Sequence, residues 1–137
     1  MQAKIPIILA ILALILVGCL GSADTQKISV ATLNPQLIKA LVTIDDGIFP
    51  ISNNVEIKKG ASALDAFEKV ATLSARKYPF GSYIYSVNGK MENSGNDGKY
   101  WQYYVDGKIA MVAVDNYKLD NDVALDFRYE KQNSQIK

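Results

Sequence analysis

The chain has no histidine and one cysteine, Cys19. That scarcity removes serine–histidine and cysteine–histidine catalysis, leaves no histidine–cysteine cluster for a structural zinc, and excludes an internal disulfide. Charge of one sign is also missing. Lysine plus arginine number 15 against 14 for aspartate plus glutamate, so no basic field is available to hold nucleic acid. Length sets a further limit, since 137 residues suffice for one compact domain and an anchor and not for two ordinary domains. Asp115, Asp120, Asp122 and Asp126 raise the question of a calcium site, but their spacing does not follow the helix–loop–helix pattern, and turn chemistry accounts for them better. A paired-carboxylate hydrolase lacks any second element of its machinery. No cofactor, no metal and no enzymatic activity are expected.

What the chain does have begins with Met1 to Leu20, a single positive charge at Lys4 followed by an apolar run from Ile5 to Val17. This is too short to span a bilayer comfortably and reads as an export signal. The run ends in Leu16-Val17-Gly18-Cys19, which resembles the lipobox of secreted lipoproteins. That likeness implies cleavage before Cys19, lipidation of its thiol and attachment to the membrane. The competing reading keeps Cys19 as a buried residue of an uncleaved anchor; the spacing favours the lipid. The expected location is extracytoplasmic, on the membrane of a bacterial or archaeal cell. Residues 1–18 are then signal, 19–37 lipidated cysteine and linker, 38–130 the folded domain, and 131–137 a polar tail. Ile28-Ser29-Val30 in the linker also has the character of an edge strand, and sequence does not choose between the two.

Within the domain, Lys39 to Ile44, the Asp46-Gly47 turn and Asn54 to Lys58 read as a hairpin, with Pro50 marking an edge or bulge on the return. At Ser62 the apolar period lengthens to that of a helix. Ser62 and Asp65 form a cap, and Leu64, Phe67, Val70, Ala71 and Ser74 share one face, predicting three to four turns that end at Pro79 and Gly81. Ser82 to Val87 is a strand with Tyr83, Tyr85 and Val87 on one side, and Lys90 to Lys99 is a polar loop. Tyr100 to Val105 and Lys108 to Val114 flank Asp106-Gly107, a type I′ hairpin signal. Asn121 is the residue best able to take a left-handed conformation in the Asp120–Asp122 turn, and Val123, Leu125, Phe127 and Tyr129 alternate with polar residues in a last strand. The order predicts an α+β, β-grasp-like domain whose antiparallel or mixed sheet carries one helix.

Gly98 to Gly107, together with Ala110, Tyr117, Leu119, Asp122 and Phe127-Arg128-Tyr129, resembles the signature of the transcobalamin-like C-terminal domain family. Gly60 to Phe67 is similar to the start of that family's helix. The resemblance implies a β-grasp-like module found at the end of cobalamin carriers and, alone, in surface lipoproteins. Asn121 replaces the family's usual glycine and Asp106 a common asparagine. The carriers clasp cobalamin against a helical barrel for which this chain has no room, and without histidine it offers no imidazole to a corrinoid cobalt.

Pairing across Asp106-Gly107 sets Trp101, Tyr103 and Val105 on one face with Ala110, Val112 and Val114, which suits a packed core. The opposite face presents Tyr100, Gln102, Tyr104 and Met111, the residues expected to contact a ligand or partner; ordinary surface tyrosines are the plain alternative. The leading reading is a lipid-anchored module for a small molecule. Its rival is a surface protein-docking module with no small-molecule ligand. A pocket beside the hairpin points to the first, and a flat patch or exposed strand edge to the second.

Overall fold

A computed structural model of the chain describes residues 34–132; the expected signal, Cys19, the linker patch Ile28–Val30 and the tail after Gln132 lie outside them. The described residues are mostly β-structure, two sheets and one short helix in a β-grasp-like arrangement. Strands β1 (Leu37–Asp45) and β2 (Ile51–Lys58) form the first hairpin, with Gly47 at positive φ and Pro50 just outside β2. Helix α1 (Ala63–Phe67) follows, then β3 (Leu73–Tyr78), β4 (Gly81–Val87), β5 (Lys90–Met91), β6 (Lys99–Val105), β7 (Lys108–Ile109) and β8 (Val123–Lys131).

The larger sheet has the order β2-β1-β8-β6-β7, and β8 lies parallel to β1 and antiparallel to β6. It is therefore a mixed sheet with the cleanest alternating strand near its centre. Register places Val42 beside Leu125, Ile44 beside Phe127, and Trp101 and Tyr103 across from Tyr129 and Phe127. One face of the sheet thus becomes a continuous apolar surface, as the period of two requires. Phe67 of α1 stands edge-on to Phe127 at 4.8 Å and to Tyr103 at 6.2 Å. Ile84 and Val87 of the smaller sheet, order β3-β4-β5, join the same core.

Three expectations are corrected. The helix is one turn and a half long, not three to four. Its capping box forms as read, Ser62 and Asp65 bonding reciprocally, but the chain leaves the helix after Glu68, and Leu73–Tyr78 pairs with β4 instead. The two-residue turn at Pro79-Phe80 closes that hairpin, and a β ladder satisfies more backbone groups there than an exposed helix end. On β4 a register shift opposite Ser74/Ala75 alters the expected alternation, so Ile84 is buried while Tyr83 and Tyr85 are only partly covered. Asn121 does not have positive φ; among the described residues the left-handed ones other than glycine are Asn88, Asn93, Asn96 and Asp106. The Asp106-Gly107 turn is of the expected kind, both residues at positive φ and Val105 opposite Lys108.

Candidate functional site

The hairpin beyond Asp106-Gly107 is shorter than its sequence suggests. Lys108 and Ile109 pair with Val105 and Tyr104, Ala110 N–H donates to Tyr103 C=O at 3.0 Å, and there the ladder stops. Residues 110–114 are apolar and β-prone, yet other contacts draw them off β6. Val114 C=O accepts from Leu64 N–H at 3.1 Å, and Tyr103 Oη donates to Val112 C=O at 2.5 Å. Asp115 accepts from Ser82 N–H (2.9 Å) and Ser82 Oγ (2.8 Å) and pairs with Lys77 Nζ (2.7 Å). Asn116 Nδ2 donates to Phe80 C=O at 2.8 Å. Gly81, φ +125°, allows this approach, because a Cβ there would lie 2.4 Å from Ala113 Cβ and 2.7 Å from Asp115 Oδ1. Lys77 first, then the Ser82 bonds, hold the Asp115 carboxyl well below the usual carboxylate range.

Pulling 110–114 away opens a cleft of about 370 Å³ between β4, β6 and that segment, walled by Phe80, Ile84, Trp101, Tyr103, Met111 and Val112. A neighbouring concavity of about 320 Å³ shares Tyr83, Trp101, Gln102 and Gln132 with it and adds Tyr100. Together they form a groove along the outer edge of β6. Polar groups are few: Ser82, the hydroxyls of Tyr83, Tyr100 and Tyr103, and the amides of Gln102 and Gln132. The Tyr83 hydroxyl donates to Glu92, and burial, then that carboxylate, pushes its pKa up. Burial first, then Tyr117 and Asp115, pushes the Tyr103 phenol up to about 12. Both phenols stay neutral donors at any physiological pH. The site is apolar, aromatic and uncharged, able to seat a neutral ring system and orient it through a few hydrogen bonds.

Of the four residues expected at the site, Tyr100, Gln102 and Met111 border this groove. Met111 does so from the divergent segment and not from a shared strand face, since β7 has ended. Tyr104 does not reach the groove and is not on an open face. It is 8% exposed, roofed by the Arg128 guanidinium 4.2 Å from its ring centroid, with its hydroxyl donating to Glu130; the polar residues of β8 cover it. Trp101 keeps its core position, and its indole N–H donates to Lys90 C=O at 2.8 Å. Ile84, Phe80 and the cleft-facing sides of Trp101 and Tyr103 were not legible as site residues, because the cleft exists only where the 110–114 segment departs. Three of the four aspartates serve structure: Asp122 accepts from Lys39 N–H at 2.8 Å, Asp126 pairs with Arg128 at 2.6 Å, and Asp115 holds the cleft wall.

No curated protein matches the sequence. Among solved structures, haptocorrin in complex with Cbi superposes with a TM-score of 0.64 at 21% identity over 71% of this chain. This chain spans only 26% of haptocorrin. A candidate metal-binding protein from Ruminococcus gnavus aligns with a TM-score of 0.56 at 13% identity, covering 70% of this chain and 99% of the other. At these identities the likeness is one of fold. The model of a domain of unknown function (DUF4430) matches residues 60–131, a span that holds α1, the aromatic hairpin and β8 and exceeds half of the sequence, and the chain accordingly belongs to that transcobalamin-like domain family.

Proposed function

We propose that the domain is an extracytoplasmic binding module for a small, neutral, ring-bearing ligand, seated in the groove between β4, β6 and residues 110–114 and held at a membrane through lipid on Cys19. The observation that carries this reading is the apolar cleft of about 370 Å³ beside the aromatic hairpin, within the usual size range of ligand pockets. Haptocorrin, of like fold, was solved with Cbi, so a corrinoid is one ligand to try; the cleft would take an edge of such a molecule and leave the rest outside. Metal capture receives less support, since among the described residues no three acidic side chains converge. Binding and not catalysis is favoured by the sequence, which has no histidine. The anchor reading rests on the Gly18-Cys19 motif; among the described residues no helix is long and apolar enough to cross a membrane.

Trp101 is the chain's one tryptophan and lines the cleft, so its emission reports occupancy directly. Screening corrinoids, flat cofactors and sugars by thermal shift, with Trp101 fluorescence in parallel, should give a ligand that raises Tm and alters emission together. Met111→Lys, at a residue 71% exposed, should leave Tm unchanged and weaken that ligand. A screen in which no compound moves either signal, or binding indifferent to Met111→Lys, would overturn the assignment.

A further inference from the structure

The groove has a second property that a small-molecule pocket does not require: one of its walls is an unpaired strand edge. Asp106 N–H donates toward β8, to Ala124 C=O at 2.8 Å, whereas Lys99 C=O and Tyr103 C=O accept from Asn93 N–H (2.6 Å) and Ala110 N–H (3.0 Å) on the opposite side. The alternation of an antiparallel ladder therefore turns the N–H and C=O of Trp101 and the N–H of Tyr103 outward. Among the described residues these three groups have no hydrogen-bond partner. Residues from both faces of β6, Tyr100 and Gln102 as well as Trp101 and Tyr103, line the same groove, as expected where the strand edge itself is open. A longer β7 would have filled this lane.

The other edge of the sheet is guarded. β2 carries Asn53, Asn54, Glu56 and Lys58 and is entered through Pro50, the usual devices against edge pairing. The β6 edge has no such guard between Tyr100 and Tyr103, and no charged side chain lines its groove among the described residues. We propose that the β6 edge docks an extended, uncharged segment of a partner protein as an added strand, its backbone bonding to Trp101 and Tyr103 and its alternate apolar side chains entering the cleft. Complementarity of charge and of backbone hydrogen bonds selects this occupant. A charged segment would be desolvated against an apolar wall without a counter-ion, and a helix cannot satisfy the open edge. Asn93 and Ala110 bound the lane at Lys99 and Tyr103, which leaves room beside Tyr100–Gln102 for roughly three extended residues at about 3.4 Å each.

The test uses the full chain and blocked pentapeptides of alternating valine and threonine, with two matched peptides, each N-methylated on the amides of one of its two edges. The unmodified peptide should alter Trp101 emission and slow hydrogen exchange at the Trp101 and Tyr103 amides; the two N-methylated registers should bind roughly tenfold more weakly or worse in at least one case. Equal binding of all forms would overturn strand addition and leave a side-chain pocket. Protection of those amides in dilute protein without peptide would show that the chain covers its own edge. Protection that grows with protein concentration would assign the edge to a second copy. No response to the peptides overturns the proposal without touching the small-ligand reading, which the compound screen decides separately.

Discussion

Trp101 joins stability and site in one side chain. Its ring is packed against Phe127 and Tyr129, at 5.7 and 5.2 Å between centroids, and its indole N–H is bonded to Lys90 C=O. Trp101→Ala should lower unfolding free energy by about 3–5 kcal/mol, the usual loss on emptying a large aromatic site, as measured by denaturant titration. A change under about 1 kcal/mol would place the ring outside the core. Asp115 offers a contrast between an ion pair and buried hydrogen bonds. The Lys77 side chain is 76% exposed, against 16% for Asp115, so solvent screens their attraction, and Lys77→Ala should cost no more than about 1 kcal/mol. Asp115→Ala strands the Ser82 N–H and hydroxyl and should cost about 1–3 kcal/mol.

The same carboxylate sets a pH dependence. Because the folded pKa of Asp115 is depressed, its contribution is present above the unfolded value of about 3.9 and is lost as pH falls toward the folded one. Asp46 and Asp65, lowered by the Phe49 and Ile48 amides and by Ser62 respectively, act in the same direction. Unfolding midpoints should therefore fall below about pH 4, and Asp115→Asn should make that fall shallower. The half-buried Tyr103 phenol works oppositely. With Tyr103 raised to about 12, stability present below the unfolded phenol value of about 10 is lost as pH climbs through that interval.

At the scale of elements, the outcome of β7 depends on a competition. Ala110 to Val114 has the composition of a strand, and local propensity favours continuing along β6. The bonds that Leu64 and Ser82 donate to this segment and its flank, and the one that Asn116 donates to Phe80 C=O, offset that preference, and Gly81 makes their geometry accessible. Gly81→Ala should push the 113–116 turn away from β4, lowering stability by at least about 2 kcal/mol through steric overlap and positive-φ strain. A Trp101 emission shift at permissive temperature would show the cleft changing shape with it. Unchanged stability and emission would mean that the turn does not depend on this contact. The short helix illustrates a similar override: the capping box at Ser62 and Asp65 started it as read, whereas its end was decided by Leu73–Tyr78 finding β4.

For the whole molecule, the expected anchor is the feature most open to a direct test. If lipid on Cys19 tethers the chain, Cys19→Ser should release it from membranes in a lipoprotein-exporting host, and intact-mass measurement of the wild type should show a modified N-terminal cysteine; an unmodified thiol would end that reading. Sequence alone determined those features that depend on near neighbours. The Asp106-Gly107 turn needs two residues at positive φ, the Ser62 cap needs an acid three residues on, and β8 needs alternation, so each was legible in a few consecutive residues. Alternation also put Trp101 in the core. Tertiary structure decided what rests on distant partners. The burial of Tyr104 comes from Arg128 and Glu130 on β8, and the cleft comes from Asp115 reaching Ser82, 33 positions away. Local patterns state which conformations a segment can adopt, whereas a groove is the space between segments and takes shape only when long-range bonds fix where one strand stops following another.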